Sequence, residues 1–186
     1  MASIITATTT SGLTQSADNS GVLQLASGVG NLVTVPAVTG TAMVSGNQPA
    51  FRGFTGHNTS ASTATSTQIT ATFGVTFDTA SAFNTGTGRF TPQVAGYYQV
   101  TAYVDFGFSG VNAAPSINAV IFKNGSAYNS GGCATVGGGT FPQVSVTDIV
   151  FLNGTTDYVT CGVFQNSGST VSNVRGGFSA CLVRAA

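Results

Sequence analysis

The chain has 186 residues, of which 5% are charged, and its five Lys and Arg balance its five Asp and Glu to a formal net charge of zero. An ordinary soluble domain is about 25% charged. Because binding to phosphates needs clustered Lys and Arg, so few cations exclude nucleic acid as a partner. Scarce Glu, Lys, Leu and Met beside abundant Thr, Val, Ser and Gly disfavour helical folds. No apolar run approaches the roughly 20 residues of a spanning helix, so no membrane partner is expected either.

The first 48 residues differ from the rest of the chain because they contain no Phe, Tyr or Trp. Two short apolar pieces, residues 21–26 and 31–35, predict strands without enough apolar partners to build a core. We therefore expect residues 1–48 to be an extended arm that neighbouring chains order, with a disordered tail as the alternative. The N-terminus has neither the basic nor the apolar part of a secretory signal, so none is expected.

From Phe51 onward the sequence reads as a series of strands. Residues 67–77 and residues 97–108 alternate between apolar and polar side chains, and a period of two predicts strands with one buried face. The faces expected to be buried are Ile69, Ala71, Phe73, Val75 and Phe77 in the first strand, and Tyr98, Val100, Ala102, Val104, Phe106 and Phe108 in the second. The opposite face of the second strand carries Tyr97, Gln99, Thr101, Tyr103 and Asp105.

Two Asn-Gly pairs, Asn124-Gly125 and Asn153-Gly154, stand between apolar runs. Because Asn and Gly tolerate the positive φ of a type I′ turn, both pairs predict tight hairpins. Further strands are expected at residues 158–165 and 177–184. Many short strands separated by turns, with no helical period, predict an all-β sandwich.

The inventory of catalytic and metal-binding side chains is small. His57 is the only imidazole and lies in a polar loop, where we interpret it as a surface or turn residue. There is no G-x-S-x-G motif for a Ser-His-Asp triad, so no enzyme activity is expected. One His and three Cys without C-x-x-C spacing do not make a zinc site, and neither a metal nor a cofactor is expected. The odd number of Cys disfavours a disulfide framework, and whether Cys161 and Cys181 pair is open.

One segment, residues 84–100, carries a motif that indicates a particular family of folds. Its Phe90, Gly96 and Tyr98 fit the pattern Phe, five residues, Gly-x-Tyr, which resembles the signature of the complement 1q-like globular head, a relative of the tumour necrosis factor jelly roll. Three more pieces follow the order of that family, namely an opening strand at Pro49-Ala50-Phe51, a central hairpin at Phe122-Lys123-Asn124-Gly125 and a closing strand from Phe178 to Val183. The departures are Val100, Ala102 and Cys181, which stand where the family prefers aromatic residues.

The resemblance covers residues 49–186 and implies a trimeric all-β jelly-roll β-sandwich. Tyr97 and Tyr103, on the outward face of their strand, are then candidates for the trimer interface, with a merely solvated sheet face as the alternative. The arm is similar in style to the segments that precede such heads in tailed-bacteriophage structural proteins. Extended arms bind by adding strands and burying apolar side chains, and the candidates for capsid attachment are Val22, Leu23, Leu25, Leu32, Val33 and Val35.

The function that this resemblance implies is that of a bacteriophage virion structural protein. The most specific expectation is a trimeric capsid decoration, or cement, protein that is made in the host cytoplasm and displayed on the virion surface. Its partners would be further copies of itself and the major capsid protein or other virion proteins. The alternatives are a tail-fibre or receptor-binding tip protein, and a secreted trimeric ligand or lectin-like module.

Overall fold

The computed structural model describes residues 23–26, 32–35, 48–70, 72–106, 116–132 and 143–186. The chain divides into two units, Met1–Ala42 and Met43–Ala186. In the first unit, β1 (Leu23–Ala26) and β2 (Leu32–Val35) pair as antiparallel strands, with Leu23 opposite Val35 and Leu25 opposite Val33. The two strands predicted in this part of the sequence are therefore present, and they pair with each other.

The second unit is built from two six-stranded antiparallel sheets. One sheet has the order β11-β10-β13-β8-β7 with β5 beside β13, and the other has the order β12-β9-β14-β3-β6 with β4 beside β14. The described residues contain no helix, and the predicted all-β jelly-roll sandwich is confirmed. The strands are β3 (Ala50–Phe54), β4 (Thr59–Ala61), β5 (Thr67–Gln68), β6 (Gly74–Asp78), β7 (Phe83–Asn84), β8 (Arg89–Phe90), β9 (Gly96–Phe106), β10 (Ile117–Lys123), β11 (Ser126–Gly131), β12 (Gln143–Leu152), β13 (Val159–Gln165) and β14 (Val171–Ala185).

The core lies between the two sheets, and β9 contributes to it as its alternation predicts. Every second residue of this strand from Tyr98 to Phe106 is at most 1% exposed, whereas Phe108 lies outside the described residues. The Tyr98 hydroxyl donates a hydrogen bond of 2.7 Å to the Val94 carbonyl, which satisfies its polar atom. Burial raises the pKa of Tyr98 to about 12.

Aromatic rings fill the middle of this core. Phe51 stacks on Phe83 and on Phe90 with centroid distances of 4.7 and 4.5 Å, and it meets the edge of Phe178 at 4.6 Å. Each fully buried ring of this kind stabilises the fold by about 1.5–3 kcal/mol. Phe51, the first aromatic residue of the chain, is fully buried among these rings.

The prediction of a single strand over residues 67–77 is wrong, because the chain passes from one sheet to the other within this segment. β5 pairs with β13, whereas β6 pairs with β3. A bulge between Arg52 and Gly53 shifts the register of β3 against β6, and Val75 and Phe77 are 40% and 45% exposed instead of buried. Of the other residues expected on the buried face, Ile69 and Phe73 are buried and Ala71 lies outside the described residues.

The two Asn-Gly pairs have different roles. Asn124-Gly125 joins β10 to β11 with φ angles of 51° and 83°, which confirms the predicted tight hairpin. The hairpin predicted at Asn153-Gly154 is wrong, since β12 and β13 belong to different sheets. There the Asn153 side-chain oxygen accepts the N–H groups of the next turn, and the connection crosses the edge of the sandwich; the donors are Thr155, Thr156 and Asp157.

Candidate functional site

The surface with the clearest capacity to bind is the side of the β12-β9-β14-β3-β6 sheet that is turned away from the core, which we call the outer face. β9 contributes Tyr97, Gln99, Thr101 and Tyr103 to it, as predicted from alternation. The residues paired with them on β12 lie on the same face, and the hydroxyl oxygens of Thr101 and Thr147 are 2.9 Å apart. The outer face therefore brings Tyr97 and Tyr103 onto one surface, at different places along β9.

Three large hydrophobic side chains lie together at the β12 edge of the outer face and form what we call the β12 patch. Tyr97, Ile149 and Phe151 are 46%, 54% and 39% exposed. The rings of Tyr97 and Phe151 are neighbours across paired strands, with their centroids 5.5 Å apart and their planes tilted by 59°. Scattered single hydrophobic residues are normal on a protein surface, but a contiguous group of this kind is typical of an interaction site.

Lys123 anchors the end of the β12 patch. Its Nζ donates a 2.8 Å hydrogen bond to the Phe151 carbonyl and lies 3.3 Å from the Asp157 carboxylate. The Asn124 amide also donates to Asp157, and these contacts, the Asn124 bond most of all, hold the pKa of Asp157 below its usual range. The backbone at the end of β12 is thus held by a charged side chain from the opposite sheet.

A second apolar group lies at the opposite edge of the same sheet, and we call it the β6 patch. It comprises Phe54 on β3 and Phe77 on β6, which are 42% and 45% exposed. Val75 is also exposed, but it pairs with Gly53, whose inward side meets Phe83, so Val75 lies on the other side of β6. Four strand spacings separate β12 from β6, which at about 4.8 Å each amounts to roughly 19 Å. The outer face therefore carries two separate apolar patches, one toward each edge.

A shallow depression of about 660 Å³ adjoins the β6 patch on the same face, since Phe54 also lines the depression. Tyr103 forms part of its floor, with its ring against Gly177 of β14, where a Cβ atom would come within 2.6 Å of the ring. Because Gly177 has no side chain, the ring can lie close to the sheet instead of standing out from it. The residues that line the depression are Arg52, Phe54, Tyr103, Gln143, Val144, Ser145 and Arg175.

Charged groups close one end of the depression. Arg175 donates from Nε to Asp105 at 2.7 Å, and this hydrogen bond raises the pKa of Arg175. His57 places Nε2 3.4 Å from the other oxygen of Asp105, and its Nδ1 is 3.0 Å from the Asn173 carbonyl. Asp105 is consequently only 7% exposed, although alternation places it on the outward side of β9. His57 is exposed, as we interpreted it, and it also has a specific ion-pair partner.

The structure answers the question about the cysteines. Cys161 is buried in β13 within the core, whereas Cys181 is exposed on β14, and both are free thiols. The two side chains lie on opposite sides of the β14 sheet, so they do not pair. Burial raises the pKa of Cys161 to about 12, which makes this thiol a poor nucleophile. Cys133 lies outside the described residues.

Within the described ranges, no group of three or more His, Cys, Asp and Glu side chains is arranged to hold a metal ion. That part of the chain also contains no helix long and apolar enough to cross a membrane.

The residues proposed for the arm fall into two sets. Leu23 and Leu25 lie in β1, and the other three, Leu32, Val33 and Val35, lie in β2. Val22 lies outside the described residues.

Sequence reasoning missed most of the outer face beyond β9. Ile149, Phe151, Phe54 and the two arginines of the depression received no role, although one signal was present in β12. That strand is apolar on its buried side and, from Ile149 onward, apolar on its outward side too. A strand end that is apolar on both faces indicates that its outward face is also covered, by another part of the protein or by a partner.

No protein-family model and no curated protein matches the sequence. Solved structures do match its fold. The globular domain of the zebrafish complement 1qA protein has a TM-score of 0.56 at 17% identity, over 75% of this chain and 99% of that chain. The PRD1 vertex protein P5 has a TM-score of 0.55 at 12% identity, over 73% and 97%. Murine APRIL at pH 8.0 has a TM-score of 0.47 at 11% identity, over 71% and 98%. The chain therefore has the complement 1q-like jelly-roll fold that its sequence motifs predict.

Proposed function

We propose that the chain is a bacteriophage virion structural protein, and specifically a trimeric decoration, or cement, protein on the capsid surface. The observation that carries the proposal is an outer face with two exposed apolar patches on a jelly roll whose fold is shared with a phage vertex protein. A chain that is 5% charged must bind mainly through shape and apolar contact, which is less sensitive to salt than ion pairing. Such contacts suit a coat that meets varied ionic conditions.

In this proposal the head, residues 49–186, forms a homotrimer through the outer face. Tyr97 contributes directly, because it is nearly half exposed and belongs to the β12 patch. Tyr103 contributes differently, since its ring lies against Gly177 and gives a flat surface instead of a protruding side chain. Both remain our candidates for the trimer interface.

The arm, residues 1–48, would attach the trimer to the major capsid protein or to other virion proteins. Leu23 and Leu25 flank Gln24 in β1, and Val33 and Val35 flank Thr34 in β2, a pattern that suits strands that add to another sheet. The protein would be made in the host cytoplasm and displayed on the virion surface. It would have no catalytic role, and the solved neighbours with this fold are likewise of a structural or ligand-type kind.

Copy number on purified virions tests this proposal. Gel densitometry against the major capsid protein should give hundreds of copies per particle for a decoration protein. A count of a few to a few tens would contradict decoration and favour a tail-fibre or receptor-binding tip. Absence from virions would overturn both and favour a secreted trimeric ligand, for which the likeness in fold to the complement 1qA domain is the supporting observation.

The arm can be tested separately by deletion of residues 1–48. The truncated head should keep its circular dichroism spectrum and its oligomeric state but lose binding to capsids that lack the protein. A truncated head that still decorates such capsids would contradict the attachment role of the arm.

A further inference from the structure

The strands that end the two sheets are β11 and β12 on one side of the sandwich, and β6 and β7 on the other. An end strand has one row of N–H and C=O groups with no strand beside it, and an extended segment of another chain can pair with that row. β7 has only two residues, which is too short to hold such a segment. The three longer end strands are therefore the candidates for strand addition.

Side chains close the side of the sandwich where β11 and β12 meet. The Asn129 amide on β11 donates a 2.9 Å hydrogen bond to the Asp148 carboxylate on β12. Each of these two side chains also accepts the N–H of the residue that follows it, from Ser130 at 2.7 Å and from Ile149 at 2.7 Å. Because these main-chain donors are occupied within the chain, this side of the sandwich is protected against strand addition.

β6 lacks this protection. Its residues, Gly74–Asp78, include no Lys, Arg or Pro, with which exposed edges are commonly blocked, and all but the last are exposed. The Asp78 carboxylate is occupied in the following turn, where it accepts the N–H groups of Ala80 and Phe83. Within the described ranges β3 is the only strand that pairs with β6. The far edge of β6 is thus open.

Apolar side chains stand on both sides of this open edge. Phe77 is 45% exposed on the outer face, and Val75 is 40% exposed on the opposite side of the strand. A strand added to β6 would cover both side chains while its main chain pairs with the open edge. We therefore expect the added segment to carry apolar side chains on both of its faces.

Arg52 determines which kind of chain fits the edge. Its Nη1 donates a long hydrogen bond of 3.4 Å to the Thr76 hydroxyl, so the guanidinium stands beside β6. Among the described residues no carboxylate forms an ion pair with Arg52. If two copies paired through β6, their two Arg52 side chains would come together, and like charges on neighbouring strands oppose pairing. A segment of a different protein, with a carboxylate near Arg52, would gain an ion pair instead.

Resting on the virion role proposed above, we propose that β6 accepts an extended segment of the capsid protein to which the trimer attaches. The segment pairs with the open edge, buries Val75 and Phe77, and places a carboxylate beside Arg52. Because the main-chain groups of an edge lie in the plane of the sheet, this pairing leaves the outer face available for the trimer. The head thereby adds a second, weaker contact to that of the arm.

Hydrogen exchange tests the pairing directly. The full-length protein would be bound to capsids that lack it, and exchange in peptides that contain residues 74–78 would be compared between the free and the bound protein. A new strand should slow the exposed amides of β6 at least about tenfold, whereas those of β11 should not change. Unchanged exchange at β6 in protein that is bound to capsids would overturn this inference and leave the proposed function standing.

Val75→Lys gives a second test, because a lysine on an edge strand opposes pairing with another chain. Val75 lies away from the outer face, so light scattering should show an unchanged trimer, while affinity for capsids should fall at least about tenfold. Tyr128→Lys is the matched control, since Tyr128 is 50% exposed on β11, at the closed side of the sandwich. Equal capsid binding by the two variants would overturn the inference.

Arg52→Gln tests the expected carboxylate. Capsid binding should weaken about threefold at low salt, and the difference should shrink as salt is added. Binding that is unchanged at low salt would contradict the ion pair. If β6 of the free protein becomes protected as protein concentration rises, its partner is a second copy and the inference is wrong. If the unchanged protein does not bind capsids at all, the proposed function is wrong and this contact with it.

Discussion

The ring of Tyr103 on β9 lies directly against Gly177 on β14, at a position where any Cβ atom would come within 2.6 Å of it. The two residues are register partners in neighbouring strands, so the aromatic ring covers a position that has no side chain. Aromatic residues that cover a cross-strand glycine stabilise a sheet. Here the pairing also shapes the depression of the outer face, which links the sequence of two distant strands to a binding surface.

Gly177→Ala should push the Tyr103 ring away from the sheet. Because the ring is half-buried and its far end can move, we expect a loss in the free energy of unfolding of about 1 kcal/mol, at the low end for overpacking. Urea unfolding at fixed protein concentration would measure it. Gly56→Ala is the control, since a Cβ there meets nothing within 4 Å. Equal stabilities for the two variants would contradict the close packing of Tyr103 on Gly177.

Gly154→Ala should be more damaging, because two separate effects act at that position. Gly154 has a φ of 74°, and a Cβ there would collide with the backbone of Ala95. Gly168 has a φ of 84° but open space around it, so Gly168→Ala isolates the cost of the backbone conformation. We expect losses of about 1 kcal/mol for Gly168→Ala and at least about 2–3 kcal/mol for Gly154→Ala. Thermal or urea unfolding that ranked them the other way would contradict this account of the β12–β13 connection.

The sequence was sufficient to predict the fold and several of its strands, because local patterns decide them. Alternation along β9 identifies its buried face, and the absence of aromatic residues before Phe51 marks where the core begins. The motif with Phe90, Gly96 and Tyr98 then indicates the jelly roll. Each of these signals lies within a short stretch of chain, where side-chain burial and backbone geometry act directly on neighbouring residues.

The errors arose where distant strands decide the outcome. Asn153-Gly154 has the composition of a hairpin turn, but β12 and β13 join different sheets, and no local pattern encodes that choice. The depression could not be predicted from the sequence either, because Arg52 and Arg175 come together only when β14 inserts between β3 and β9. Register between strands more than 100 residues apart cannot be deduced from spacing alone. Alternation places Tyr97 and Tyr103 on the same face of β9, but it does not predict that their surroundings on that face differ.

The two described cysteines should differ strongly in reactivity. In a Cys133→Ser background, Cys181 should react with a thiol reagent in the native protein, whereas Cys161 should react only after unfolding because it is fully buried. Two equivalents of reaction in urea against one in buffer would confirm this. Rapid native reaction of both thiols would contradict the burial of Cys161.

Stability should fall steeply in alkaline solution. Burial raises the pKa of Cys161 from 9.0, and that of Tyr98 from 10.0, to about 12 in each case, so the unfolded chain loses these protons first. Their contribution is complete below about pH 9 and is lost as the pH rises through 12. Each group that is deprotonated only in the unfolded chain lowers the free energy of unfolding by about 1.4 kcal/mol per pH unit. Urea unfolding between pH 8 and pH 11 would measure the slope, and Cys161→Ala should reduce it. An unchanged slope in that variant would contradict the assignment to the thiol.

Ile149→Asp provides the sharpest test of the outer face as the surface of self-association. Ile149 is 54% exposed in a single chain, so an aspartate there should cost the fold of one copy little. In the proposed trimer the same charge would be buried among apolar side chains, and burying an unpaired charge is expensive. We therefore expect light scattering to show monomers at concentrations where the unchanged protein is trimeric. Tyr128→Asp, at a residue that is 50% exposed on the other sheet, should leave the trimer intact. A trimeric Ile149→Asp variant would exclude the β12 patch from the interface, whereas dissociation in both variants would place the contact on both sheets.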